Sequence, residues 1–255
     1  MIRLSREIRF SLEPNDAGVT NSWGGWPSSN RLAPRMSLSC VVAGEPDRQS
    51  GFVCDIKRLD NLMREIVAET VTPFRNEYTA HQALWMICHE GQRRWTTGPP
   101  IVEWSLSVSP FLRFDVQNGI QPMITMTEQF EFSAAHRLHC DEYDADRNRQ
   151  VFGKCNNPNG HGHNYIVEIS IRGELEQTGQ LISIVEFERI VKSLVIDRLD
   201  HKHLNLDVDH FRNLIPTVEN IAMVIWQWLA GNLGGAQLSK VRVYETAKTW
   251  AEYQG

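Results

Sequence analysis

Two stretches of the chain repeat one alternation of hydrophobic and polar positions. The first opens with Ser5-Arg-Glu-Ile-Arg-Phe10-Ser11 and the second with Thr127-Glu-Gln-Phe-Glu-Phe132-Ser133, each the pattern of a half-buried strand. A second apolar run follows in both. It is Ser37–Ala43, closed by Gly44-Glu45, and then Tyr165–Arg172, closed by Gly173-Glu174. Turns are expected at Ser50-Gly51 and Thr178-Gly179. The segments Phe52–Leu59 and Leu181–Ile190 then lead into helices expected over Ile56 to about Val71 and Phe187 to about Leu199, where apolar residues return every three or four positions. Second helices are expected at Thr79–Cys88 and Thr217–Trp226, with Thr217 an N-cap after Pro216. Closing strands are expected at Ile101–Val108 and Val241–Glu245, and Gln117–Pro122, which carries Gly and Pro, reads as a linker. Strand, strand, helix, helix, strand, strand, given twice, predicts an α+β fold on antiparallel sheet in two units, 1–118 and 123–255.

Composition narrows the classes. With 255 residues, 42% of them hydrophobic and 22% charged, the chain has material for two modest cores. No apolar run reaches the roughly 18–20 residues of a membrane span. The opening MIRLSREIRFSLEP has no apolar signal-peptide centre. A net charge of −5 argues against a general nucleic-acid binder. Five irregularly spaced cysteines imply no disulfide framework, and a cytoplasmic, reducing setting is expected.

The two halves differ in chemistry. Only His81 and His89 precede residue 123, whereas seven histidines follow it. His161 and His163, two apart and running into a strand, leave the same face, and His136 ends the preceding strand. Three histidines with a fourth position open are the arrangement of a catalytic zinc. His139, His201 and His203 are rival ligands on spacing alone. Cys155 reads either as a base or nucleophile, with Lys154 beside it favouring the thiolate, or as a fourth metal ligand. Asp200-His201 is a proton-shuttle pair or part of a solvated loop. Glu245 is an acid on an apolar strand, and solvent-facing is its plain alternative.

Phe132-Ser-Ala-Ala-His-Arg-Leu-His139, Cys155-Asn-Asn-Pro-Asn-Gly-His-Gly-His-Asn-Tyr165, Leu199-Asp-His-Lys-His-Leu-Asn205, Pro216-Thr-Val-Glu-Asn220 and Val243-Tyr-Glu-Thr246 together resemble the 6-pyruvoyl tetrahydropterin synthase family. The resemblance implies two tandem tunnelling-fold (T-fold) units, each a four-stranded antiparallel sheet with two helices on one face, assembling into a barrel. It implies that His136, His161 and His163 hold zinc. It implies that Cys155 abstracts a proton, that Asp200 and His201 relay protons, and that Glu245 anchors a pterin ring with help from Thr217 and Glu219.

The implied reaction converts 7,8-dihydroneopterin triphosphate to 6-pyruvoyl tetrahydropterin with loss of triphosphate. The family's 6-carboxy-tetrahydropterin synthases, of deazapurine biosynthesis, are the alternative, as is a non-catalytic pterin-binding protein. Five residues separate Cys155 from His161, as in the pyruvoyl-forming type. Family sites form where units meet, so a homo-oligomer, such as three tandem chains, is implied. The first half keeps almost none of the site. It has Ser11-Leu-Glu-Pro14 where His136 should lie and His81 in place of Glu219, so one zinc per chain is expected.

Overall fold

The computed structural model describes residues 1–12, 24–27, 34–117, 123–174 and 181–255. Residues 118–122 of the expected linker, the Thr178-Gly179 turn and Glu13-Pro14 lie outside the described residues. Contacts divide the chain into two compact units, one within Met1–Met126 and the other combining Thr127–Arg172 with Ile182–Gly255.

In the first unit, strands β1 (Ile2–Ser11), β2 (Arg35–Gly44), β3 (Ile101–Ser107) and β4 (Leu112–Gln117) form an antiparallel sheet in that order. Helices α1 (Ile56–Ile66) and α2 (Ala80–Arg94) connect β2 to β3. Alternate strand residues Leu38, Cys40, Val42, Trp104, Leu106 and Phe114 are buried, as are Leu59, Met63 and Ile66 of α1 and Leu84 and Ile87 of α2. Each such aliphatic side chain contributes about 1.5–3 kcal/mol by leaving water.

The second unit repeats this plan. Strand β5 (Ile124–His136) pairs with β6 (His161–Gly173), β6 with β8 (Gln237–Thr246) and β8 with β9 (Thr249–Tyr253). The two-residue strand β7 (Lys202–His203) runs parallel to the end of β5. Helix α4 (Ile184–Val191) and the later helix α5 (Val218–Leu229) bury Phe187, Val191, Ile221 and Ile225 together with Tyr165, Val167, Ile169, Val241 and Val243 of the sheet.

Three details mark the units as copies. The ladder shifts register at Val41/Val42 on β2 and at Ser170/Ile171 on β6, each just before the closing Gly44 or Gly173. The helix that follows the second long strand of each unit ends in a π turn, Val67–Val71 and Lys192–Ile196. The second helix begins at a threonine N-cap in each, Thr79 with a full capping box and Thr217.

The expected strands and helices are present, with α4 starting three residues earlier than read. The periodicity did not locate β4, β9 or the short helix α3 (Ala145–Phe152). Only Asn148 of α3 is buried, so that helix carries no apolar stripe, and its one local signal is the Asp144 N-cap.

Candidate metal centre

Strand pairing brings the histidines together. His136 is the last residue of β5 and is fully buried, while His161 and His163 open β6 on the face they share with buried Tyr165. Gly160, at φ +72°, makes the turn into β6, and any Cβ there would lie 2.9 Å from the His136 carbonyl oxygen. Glu245 comes from β8, the other neighbour of β6.

One ligand atom from each of His136, His161, His163 and Glu245 lies within 4.8 Å of all the others, a group able to hold a metal ion. His136 Nδ1 donates to the Pro216 carbonyl at 2.8 Å, which leaves the lone pair on Nε2. That Nε2 stands 3.1 Å from His161 Nε2 and 3.3 Å from Glu245 Oε1. His163 Nε2 is buried and lies 3.4 Å from the same carboxylate oxygen without forming a hydrogen bond. His161 Nδ1 is also buried without a partner.

Burial pushes the His136 pKa down to about 4, and the His161 and His163 imidazoles add to that depression. Burial likewise lowers His161, again with His163 contributing. His136 and His161 held toward the neutral form, a buried lone pair turned inward and an adjacent carboxylate are what a divalent cation requires, so these residues fit one. The carbonyl of Pro216 holds the ring orientation from outside the ligand set.

Cys155 is half-buried in a 3₁₀ turn, Gly153–Asn156, outside the four-residue cluster. Its thiol pKa is raised, first by burial and then by the charge of Glu245. This corrects the expectation that Lys154 favours the thiolate, because that side chain is exposed and the nearby carboxylate works the other way.

Asp200 and His201 form a pair at the end of β5. Asp200 Oδ1 accepts from Ser133 N at 2.8 Å, Oδ2 lies 2.7 Å from His201 Nδ1, and His201 N donates to Ser133 O at 2.7 Å. The Ser133 hydrogen bond, then that to His201, lowers the Asp200 pKa. His201 has φ +56°, the one non-glycine positive value among the described residues. These backbone bonds hold a conformation that costs roughly 1–2 kcal/mol.

His201 lines a cavity of about 550 Å³ with Ser133, Gly162, Asn164 and Lys202, and His163 of the cluster lines the same cavity. Ser133 and Asn164 alternate along β5 and β6 with His136, His161 and His163. Thr217 caps α5 beside Pro216, and Glu219 is exposed in the first turn of that helix. His139, His201 and His203 all lie outside the cluster.

Residues 125–255 match the model of the family described as 6-pyruvoyl tetrahydropterin synthase. The chain belongs to the 6-pyruvoyl tetrahydropterin synthase family. Its second half is 42% identical over 137 residues to the 6-pyruvoyl tetrahydrobiopterin synthase of Drosophila melanogaster, covering 53% of this chain and 82% of that one. It is also similar to the solved Caenorhabditis elegans 6-pyruvoyl tetrahydropterin synthase, at 39% identity and TM-score 0.50, covering 52% of this chain and 96% of the other. Uricase from Arthrobacter globiformis matches the whole chain and 93% of its own, with TM-score 0.51 and 8% identity, a likeness of fold alone. The fold is therefore an α+β tandem of T-fold units, and the family match falls on the unit that carries the histidine cluster. No helix among the described residues is long and apolar enough to cross a membrane.

Proposed function

We propose that this chain is a zinc-dependent lyase that converts 7,8-dihydroneopterin triphosphate to 6-pyruvoyl tetrahydropterin and triphosphate. The observation that carries the reading is the convergence of His136, His161 and His163, the last two with a partnerless buried nitrogen, in a chain of this family. Imidazole ligands suit zinc better than magnesium or calcium, which prefer oxygen. His136, His161 and His163 would hold the ion, and Glu245 stands close enough to approach it when no substrate is present. Bound there, zinc would act as a Lewis acid on the side-chain oxygens of the substrate, acidifying neighbouring hydroxyl and C–H positions.

The chain's own groups then divide the work. Cys155 takes a proton from the substrate side chain. Its raised pKa makes the thiol a poor base while Glu245 is unneutralised, so charge compensation at the cluster prepares it. Glu245 accepts the paired N–H donors of the pterin edge, a geometry that favours a carboxylate, and Thr217 and Glu219 border that end of the site. Asp200 keeps the His201 imidazole oriented to carry protons as the triphosphate leaves. Oxidation of the side chain is balanced by reduction of the pterin ring, so no external oxidant is consumed.

The Asp200–His201 pair lies outside the four-residue cluster, which supports a homo-oligomer in which the pair serves the site of another copy. Three tandem chains are the assembly we favour. The five free cysteines fit a reducing cytoplasm. The test is metal-stripped protein reloaded with zinc, assayed for triphosphate release from dihydroneopterin triphosphate. Release restored by zinc supports the lyase, and zinc binding with pterin retained but no release makes this a binding protein.

A further inference from the structure

His139 lies three residues beyond His136 and outside the metal cluster. Its Nδ1 is 3.1 Å from Arg137 Nη2 and 2.9 Å from Asn156 Nδ2. A guanidinium can only donate, so Nδ1 presents its lone pair and the ring proton sits on Nε2, which lies 3.4 Å from Asp141 Oδ1. Asn156 Nδ2 also donates to the Leu138 carbonyl at 2.7 Å, an arrangement that fixes which end of the amide faces inward. Leu138 N donates to the Cys155 carbonyl at 2.9 Å, and Arg137 Nε reaches the Asn156 carbonyl at 3.4 Å. Cys155 therefore lies within a ladder of polar contacts joining residues 137–139 to residues 155–156.

Little else secures this turn. None of the residues Gly153–Asn156 is fully buried, so no packed apolar side chain sets its position. We propose that His139 is a positioning residue for Cys155, clasping the Gly153–Asn156 turn to the segment that follows β5 by accepting from both Asn156 and Arg137. This rests on the reading of Cys155 as the base of the proposed lyase. Proton transfer needs hydrogen-bond reach, and a displacement of about 1 Å can cost on the order of 100-fold in rate. The clasp supplies that placement without touching the metal ligands.

The test compares the full-length zinc-loaded chain with H139L, which removes the acceptor, and H139N, whose side-chain oxygen can take the place of Nδ1. Alkylation of Cys155 by iodoacetamide, followed peptide by peptide in a mass spectrometer, reads the turn directly. H139L is expected to alkylate roughly tenfold faster at pH 8, because a released turn loses the burial that holds its thiol protonated. Its kcat is expected to fall far more than its KM changes, with zinc content unaltered, and H139N is expected to restore both readouts. An unchanged alkylation rate in H139L, or equal acceleration in H139L and H139N, overturns the clasp. If H139L does not fold, N156A removes the Asn156 arm of the clasp together with its bond to the Leu138 carbonyl, and an unchanged alkylation rate there overturns the clasp. Alkylation does not depend on turnover, so failure of the lyase reading is seen separately, as no triphosphate release by the wild-type chain, and failure of Cys155 as its base as full activity in C155A.

Discussion

At the scale of single residues, the centre concentrates polar groups that gain little from one another. His136, His161 and His163 crowd against Glu245, and two of the three retain buried nitrogens without partners. An unmatched buried polar atom costs about 1–3 kcal/mol, a cost that a bound cation would remove at His163 Nε2, beside Glu245. Metal analysis of the purified chain is expected to give one zinc per chain, and His161→Ala to reduce it to a trace. Two ions per chain would contradict the assignment of a silent first unit. Replacing Cys155 by Ala is expected to lower triphosphate release by about 100- to 10,000-fold while zinc stays bound, the span usual for a lost general base. Loss of the metal in that variant would instead make Cys155 a ligand.

Part of this site can be read from the chain itself. His161 and His163 announce a shared strand face by their spacing, and His136 follows an alternating strand. The approach of Glu245 to the cluster depends on β8 pairing with β6 about 80 residues away, which no local pattern encodes. The bonds of His139 are equally hidden, since they depend on a turn with no apolar signature.

At the scale of elements, the fit of helix to sheet decides stability. Gly91 on α2 faces the fully buried Trp104 of β3, and a Cβ there would come within 2.5 Å of Trp104 Cζ2. Gly91→Ala should raise helix propensity by up to about 1 kcal/mol, yet overpacking a rigid indole costs roughly 1–3 kcal/mol. Net destabilisation in denaturant titration is therefore expected, and a stabilised variant would show that the helix can shift.

His81, also on α2, is buried edge-on to Phe114 at 4.5 Å between ring centroids, and burial depresses its pKa to about 4. The unfolded chain binds a proton near pH 6.5 that the folded chain refuses until about pH 4. Stability is thus intact above pH 6.5 and falls as pH drops toward 4, by up to about 3 kcal/mol for this group. His81→Leu should flatten that dependence relative to wild type between pH 7 and 4.5. An identical slope in both proteins would show that His81 does not contribute. The apolar periodicity made α1, α2, α4 and α5 visible in advance. It was silent on α3, whose surface is polar, and on the π turns, which keep a helical side-chain spacing.

At the scale of the whole molecule, the family match and the histidine cluster fall on one unit of the tandem, and the other shares its fold. Both copies retain the threonine-capped second helix and the register shift beside the closing glycine, because these belong to the architecture. Among the described residues, the histidine cluster able to hold a metal belongs to one copy alone. The duplication was legible in the repeated pattern of strands and helices, whereas the placement of Asp200–His201 away from the cluster required the sheet itself. If the pair serves another copy, mixing Cys155→Ala chains with His201→Ala chains under conditions of subunit exchange should restore turnover that neither variant has alone. No recovery in mixed oligomers would place the whole reaction within one chain.

The central claim is tested most directly by the mass of the product formed by zinc-loaded protein from 7,8-dihydroneopterin triphosphate. The account predicts the mass of 6-pyruvoyl tetrahydropterin, with one triphosphate released for each product molecule. A carboxy-pterin with acetaldehyde, or zinc-loaded protein that leaves the substrate unchanged, would contradict it.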